Sequence, residues 1–173
     1  IVTPDEGGGP RLVVYQGGMV GATGTFPQVA SFFGIDDANF RGGARVAVAD
    51  VNRDGIPDLI VAAGFGGGPR VAVYNGSSVL SGLTRLFNDF FVFELTLRNG
   101  AFITAGDIDG DGFADLIAGG GPGGGPRVLA LSGAGLVAGQ GADSAVLANY
   151  FAGDDKNRGG VRLTAKDTDG DGK

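Results

Sequence analysis

The chain repeats itself, and the repeat limits what it can fold into. Gly-Gly-Gly-Pro-Arg stands at residues 7–11, 66–70 and 123–127. Aromatic pairs keep a similar interval, at Phe32-Phe33, Phe90-Phe91 and Tyr150-Phe151. Acid-rich segments open at Asp50, Asp107 and Asp167. Landmarks recurring near every 58 residues describe supersecondary units that bury their apolar faces on one another. Counted from the acid-rich segments, the units run approximately over 1–58, 59–115 and 116–173, within one repeat domain.

Each unit reads as four short strands. One set follows the Gly-Gly-Gly-Pro motif, at 11–15, 70–74 and 127–131, each ending in a Gly-bearing turn. The aromatic pairs close a second set, at 30–33, 90–93 and 148–151. A third set, 44–49, 101–106 and 161–166, precedes the acids and is built from small residues. Apolar runs at 59–63 and 116–119 follow the acids, and Ile1-Val2 matches the first of these. Short β-branched runs bounded by glycine are strand signals. Four strands per unit predict an all-β fold of β-propeller blades, each of four antiparallel strands, about three in number. The small-residue strand suits the crowded centre of such a propeller. The aromatic pairs are expected in the core between blades, and the connections 17–29, 76–89 and 133–147 are expected to vary most.

The acids themselves are evenly spaced. Asp50, Asn52, Asp54 and Asp58 occupy positions 1, 3, 5 and 9 of the first segment, with Gly55 at 6. Asp107, Asp109, Asp111, Gly112 and Asp115 repeat the pattern, and Asp167, Asp169, Asp171 and Gly172 begin it again. Alternating oxygen ligands on a tight loop suit Ca2+, which accepts six to eight oxygens in loose geometry, better than Mg2+. The backbone carbonyls at position 7, Ile56 and Phe113, are further candidate ligands. An EF-hand requires a bidentate Glu at position 12, where this chain has Val61 and Ala118 between apolar strand-like flanks. The loop therefore joins two strands. A plain solvated turn also favours Asp and Asn, but recurrence of the full spacing argues for a metal.

Composition narrows the function. The 36 glycines cluster at turns rather than at every third residue, which excludes collagen. A net charge of −6 disfavours nucleic acid and anionic membranes as partners. Ten of the 19 acids lie in the three loops, so the remaining surface is not strongly acidic. No apolar run approaches the roughly 18 residues of a membrane span. With no Cys and no His, the commonest general base and the thiol nucleophile are missing, and no enzyme activity is expected. Acids outside the loops, Asp36, Asp37, Glu94, Asp154 and Asp155, have no spacing that specifies a glycosidase pair. The glycine runs lack the Lys-Ser/Thr of a phosphate loop. Arg11, Arg70 and Arg127 are expected to close strands and pair with carboxylates. Asn75-Gly76-Ser77 has sequon spacing and is equally a hairpin turn.

The segment Gly43-Ala-Arg-Val-Ala-Val-Ala-Asp50-Val-Asn52-Arg-Asp54-Gly55-Ile-Pro-Asp58-Leu, followed by Gly66-Gly-Gly-Pro-Arg-Val-Ala-Val-Tyr74, resembles the FG-GAP/VCBS repeat. That repeat builds the β-propeller of integrin α-subunit heads and of many secreted bacterial proteins, and the likeness extends over all three units. It implies calcium held by Asp50, Asn52, Asp54, Ile56 and Asp58, and by Asp107, Asp109, Asp111, Phe113 and Asp115. The third loop departs from the pattern, since its position 9 would follow Lys173. Asp167, Asp169 and Asp171 are expected to bind weakly or with help from a neighbouring chain.

Closed propellers have about four to eight blades. Three units are therefore expected to be an excerpt of a longer array or a protomer that joins others into a ring or filament, and Ile1 is not an initiator Met. The expected role is a calcium-binding scaffold or adhesion module, extracellular or at the cell surface, where weaker calcium modules work. The alternative is a lectin-like propeller with glycan sites between blades.

Overall fold

The computed structural model describes residues 1–17 and 26–173. The described residues form three antiparallel sheets. β1 (Arg11–Tyr15) pairs with β2 (Gln28–Phe33). β3 (Ala44–Ala49), β4 (Asp58–Ala63), β5 (Arg70–Tyr74) and β6 (Phe90–Phe91) form the second sheet in chain order. β7 (Ala101–Gly106), β8 (Asp115–Gly120), β9 (Arg127–Leu131) and β10 (Val146–Phe151) repeat that order in the third. A 3-10 turn at Gly76–Ser78 and a short helix α1 (Gly133–Val137) occupy two of the variable connections. Most of the connection expected at 17–29 lies outside the described residues.

The sheets stack face to face like blades. β4 is buried at every position, and its period-2 alternation sends its side chains two ways. Ile60 and Ala62 pack toward β7, β8 and β9 with Ala101, Ile103, Leu116, Leu129 and Leu131. Leu59, Val61 and Ala63 face the opposite side and pack on Leu12 and Ile35. β5 divides in the same way, with Val71 and Val73 on one side and Ala72 and Tyr74 on the other. A strand buried on both faces must be apolar throughout, and Leu59–Ala63 is.

Each unit is latched onto itself through backbone. Gly7, Gly66 and Gly123, each opening a Gly-Gly-Gly-Pro-Arg motif, donate to the carbonyls of Arg41, Arg98 and Arg158 at 2.9, 2.7 and 2.7 Å. Each of those arginines turns its guanidinium back onto carbonyls of its own turn, Arg98 for instance onto Leu95 and Leu97 at 2.6 and 2.8 Å. The Arg41/Arg98/Arg158 series went unread in the sequence because its partners are main-chain atoms.

Three expectations need correction. Residues 161–166 form no ladder. Val161 N–H bonds the Gly120 carbonyl at 2.9 Å, and no strand among the described residues pairs with this segment. Of the six paired aromatics only Phe32 and Phe90 pack on the core. Phe32 rests on Tyr74 with ring centroids 5.9 Å apart and Phe90 on Phe87 at 6.0 Å, but Phe33, Phe91, Tyr150 and Phe151 are exposed. Neighbours in a strand point to opposite faces, so a Phe-Phe pair cannot enter one core together. Finally, Arg70 and Arg127 meet Asp89 and Glu94 at 2.8 and 2.7 Å, but Arg11 bonds the Ser31 hydroxyl at 3.1 Å instead of an acid.

Candidate metal centre

The acid-rich segments 50–57 and 107–114 are the β3–β4 and β7–β8 hairpin loops, side by side at one end of the sheets. Ala114 N–H donates to the Asp50 carbonyl at 3.0 Å. Arg53 reaches from the first loop to the Asp111 carbonyl at 3.2 Å, with its guanidinium 5.7 Å from the centre of the Phe113 ring.

The loops share one internal wiring. The position-1 carboxylate accepts from the position-6 N–H: Gly55 to Asp50 at 2.8 Å, Gly112 to Asp107 at 2.8 Å, Gly172 to Asp167 at 2.9 Å. Position 3 accepts from the position-5 N–H at Asn52, Asp109 and Asp169. Position 5 accepts from the position-7 N–H at Asp54, Asp111 and Asp171. Each of these side chains is thereby fixed by a backbone N–H of its own loop before any ion arrives. The carbonyls of Ile56 and Phe113 accept no hydrogen bond among the described residues.

This curl needs positive φ at two positions, and the sequence reading found only one. Position 6 is Gly55, Gly112 and Gly172, at φ 83°, 87° and 89°. Position 4 is also left-handed, with Gly110 and Gly170 at 83° and 82°. In the first loop that place is taken by Arg53, at φ 58°. An L side chain there costs roughly 1–2 kcal/mol, and its contacts with the second loop offset part of it.

Position 9 differs from the rest. Asp58 and Asp115 are fully buried. One oxygen of Asp58 accepts from Val51 N–H at 2.9 Å and the other from Gly76 N–H at 2.9 Å. Asp115 takes Ile108 and Gly133 N–H at 2.9 and 3.0 Å. Each carboxylate thus ties its loop to the turn after the next strand. The donors must be glycine, since a Cβ on Gly76 would lie 2.0 Å from the Pro57 carbonyl oxygen and one on Gly133 2.2 Å from that of Ala114. The sequence showed these glycines only as turn formers.

Charge follows burial. Burial pushes the Asp58 and Asp115 carboxyls above their ordinary range, against the lowering effect of the backbone donors. Neighbouring acids add to the rise, Asp54 at the first loop and Asp109 with Asp111 at the second. Asp167 is exposed, and the Gly172 and Gly170 N–H groups hold it below that range.

Asp107, Asp109 and Asp115 each bring a carboxylate oxygen within 4.8 Å of the others, as do Asp167, Asp169 and Asp171. These distances, with bare position-7 carbonyls, fit a hard cation with oxygen ligands. Asp50, Asp54 and Asp58 do not converge to that distance, and Asn52 donates its amide to Asp54 at 2.9 Å. The acids outside the loops do local work: Asp37 and Asp154 cap turns at Asn39 and Lys156 N–H, while Asp36 and Glu94 pair with Arg85 and Arg127.

A family model described as FG-GAP-like repeat matches residues 50–118, which span both complete loops. No curated protein and no solved structure matches the chain. No helix among the described residues is long and apolar enough to cross a membrane. The stretch from Asp50 to Ala118, two acidic hairpins and the blade between them, is similar to an FG-GAP-like repeat.

Proposed function

We propose that this protein is a non-catalytic, calcium-ordered repeat module, extracellular or at the cell surface, serving as a scaffold or adhesion surface. The observation that carries this reading is the convergence of Asp107, Asp109 and Asp115 on a loop whose backbone already holds each acid in place. Ca2+ bound there supplies charge neutralisation and cross-links the loop. Asp107, Asp109 and Asp111, the Phe113 carbonyl and Asp115 would hold it, with Asp50, Asn52, Asp54, the Ile56 carbonyl and Asp58 as the counterpart of the first loop. Asp167, Asp169 and Asp171 supply a third, more exposed set. The 161–166 segment, unpaired among the described residues, offers an edge to which another chain would add a strand.

Calorimetric titration with calcium tests the reading. Saturable binding that Asp109→Asn weakens is expected, because Asn keeps the oxygen that accepts Asp111 N–H but loses the charge. Absence of binding up to millimolar calcium would refute it.

A second reading, a glycan-binding propeller, has one favourable observation. Equivalent clefts of about 430 and 500 Å³ lie between successive units, one beside Phe151, Arg127 and Arg158, the other beside Phe91, Arg70 and Arg98. Exposed aromatic rings beside polar groups suit sugars. A silent glycan array would remove this reading.

A further inference from the structure

The second residue of the inner strand is charged or aromatic in every unit: Arg45, Phe102 and Arg162. The three meet. The guanidinium carbons of Arg45 and Arg162 lie 4.1 and 4.7 Å from the centre of the Phe102 ring. Two cations from different units therefore share one aromatic ring.

Neither arginine forms an ion pair. The ion pairs of the described residues involve Arg70, Arg85, Arg127 and Lys173, and residues 18–25 contain no acid. Arg45 makes one marginal bond to the Ala101 carbonyl at 3.4 Å, while Arg162 appears in no hydrogen bond among the described residues. Arg41, Arg98 and Arg158 differ, since their guanidinium groups are bound to turn carbonyls. Both Arg45 and Arg162 border a cavity of about 550 Å³ that Val46, Ile103, Leu163, Asp5 and Glu6 also line. Asp5 and Glu6 are exposed and stand beyond ion-pairing distance. Burial and the neighbouring Arg162 make Arg45 less able to carry its charge, and Asp5 and Glu6 only partly restore it.

Arg45 is half-buried and Arg162 exposed, and their guanidinium donors, outside any ion pair, are matched by an oxyanion, whose oxygens accept paired N–H groups. We propose that Arg45 and Arg162, braced on Phe102, bind an oxyanion of sulfate or phosphate type in this cavity. The site lies near the start of these segments, five residues or about 17 Å from the acidic loops at their other end. The volume admits the free ion or an oxyanion group carried by a larger ligand.

Two-dimensional NMR of the whole chain in saturating calcium tests this, with inorganic sulfate and N-acetylglucosamine 6-sulfate as probes. Saturable shifts of the Arg45 and Arg162 side-chain N–H signals are expected. Tighter binding of the sulfated sugar marks an oxyanion on a larger body, and equal binding marks the free ion; both uphold the site. Arg45→Gln and Arg162→Gln should each weaken binding at least tenfold while the backbone spectrum stays folded. Asp5→Asn with Glu6→Gln should tighten it severalfold by removing the repelling carboxylates from the cavity lining. Shifts that grow linearly and spread over the surface, or that persist in the Arg45→Gln/Arg162→Gln double variant, would overturn the proposal.

Discussion

Replacing Asp115 by Ala separates the two jobs of an acidic loop. Asp115 is fully buried and its oxygens are the acceptors for Ile108 and Gly133 N–H, at 2.9 and 3.0 Å. Truncation leaves both donors without a partner, at roughly 1–3 kcal/mol each, so the loss is about 2–6 kcal/mol even with no cation present. Asp111 is exposed and accepts only from Phe113 N–H, at 2.8 Å. Asp111→Ala in the same conditions should cost no more than about 1 kcal/mol and should instead lower the stability gained from calcium. Urea unfolding in excess chelator reads both variants. The midpoint of Asp115→Ala should fall well below that of Asp111→Ala, with the slope unchanged. Equal midpoints in chelator would refute the reasoning, because Asp115 would then act only through a bound ion.

Other outcomes follow from the same geometry. Gly133→Ala sets a Cβ against the Ala114 carbonyl oxygen and should cost about 1–3 kcal/mol, whereas Gly17→Ala, at the corresponding place in the first unit with open space around it, should be near neutral in thermal melts. Arg53→Ala keeps the positive φ and loses the contacts to Asp111 and Phe113, while Arg53→Gly loses the contacts and relieves the backbone; the Gly variant should be the more stable by about 1 kcal/mol in urea. Asp115 has its folded pKa raised above the ordinary 3.8, so the folded state takes up its proton first and this group adds stability as pH falls through the raised value, fully by the unfolded one. In chelator, the gap between the wild type and Asp115→Ala should therefore widen from neutral pH toward 3.8, and a narrowing gap in pH-dependent urea melts would contradict that sign.

Period and alternation made the sheets readable in the sequence. Leu59–Ala63 and Arg70–Tyr74 are apolar with β-branched residues between glycines, and they became central strands. The acids were legible because their two-residue spacing recurs, and the loops place them together at Asp107, Asp109 and Asp115. What stayed hidden depends on atoms the sequence does not label. The left-handed backbone at Arg53 looks like any charged loop residue until its φ is known. Gly76 and Gly133 read as turn glycines, but their N–H groups serve Asp58 and Asp115 eighteen residues earlier. The 161–166 segment carries a strand pattern, yet a ladder needs a partner, and pattern alone does not supply one.

The central claim is that the acidic loops hold calcium and that the folded blades depend on it. Urea midpoints measured from excess chelator to millimolar free calcium test it most directly. Stability should climb with the logarithm of calcium, each site contributing about 2.7 kcal/mol at a hundredfold excess over its dissociation constant, and Asp107→Asn with Asp109→Asn should flatten the climb. A midpoint that stays the same from chelator to millimolar calcium would contradict the account.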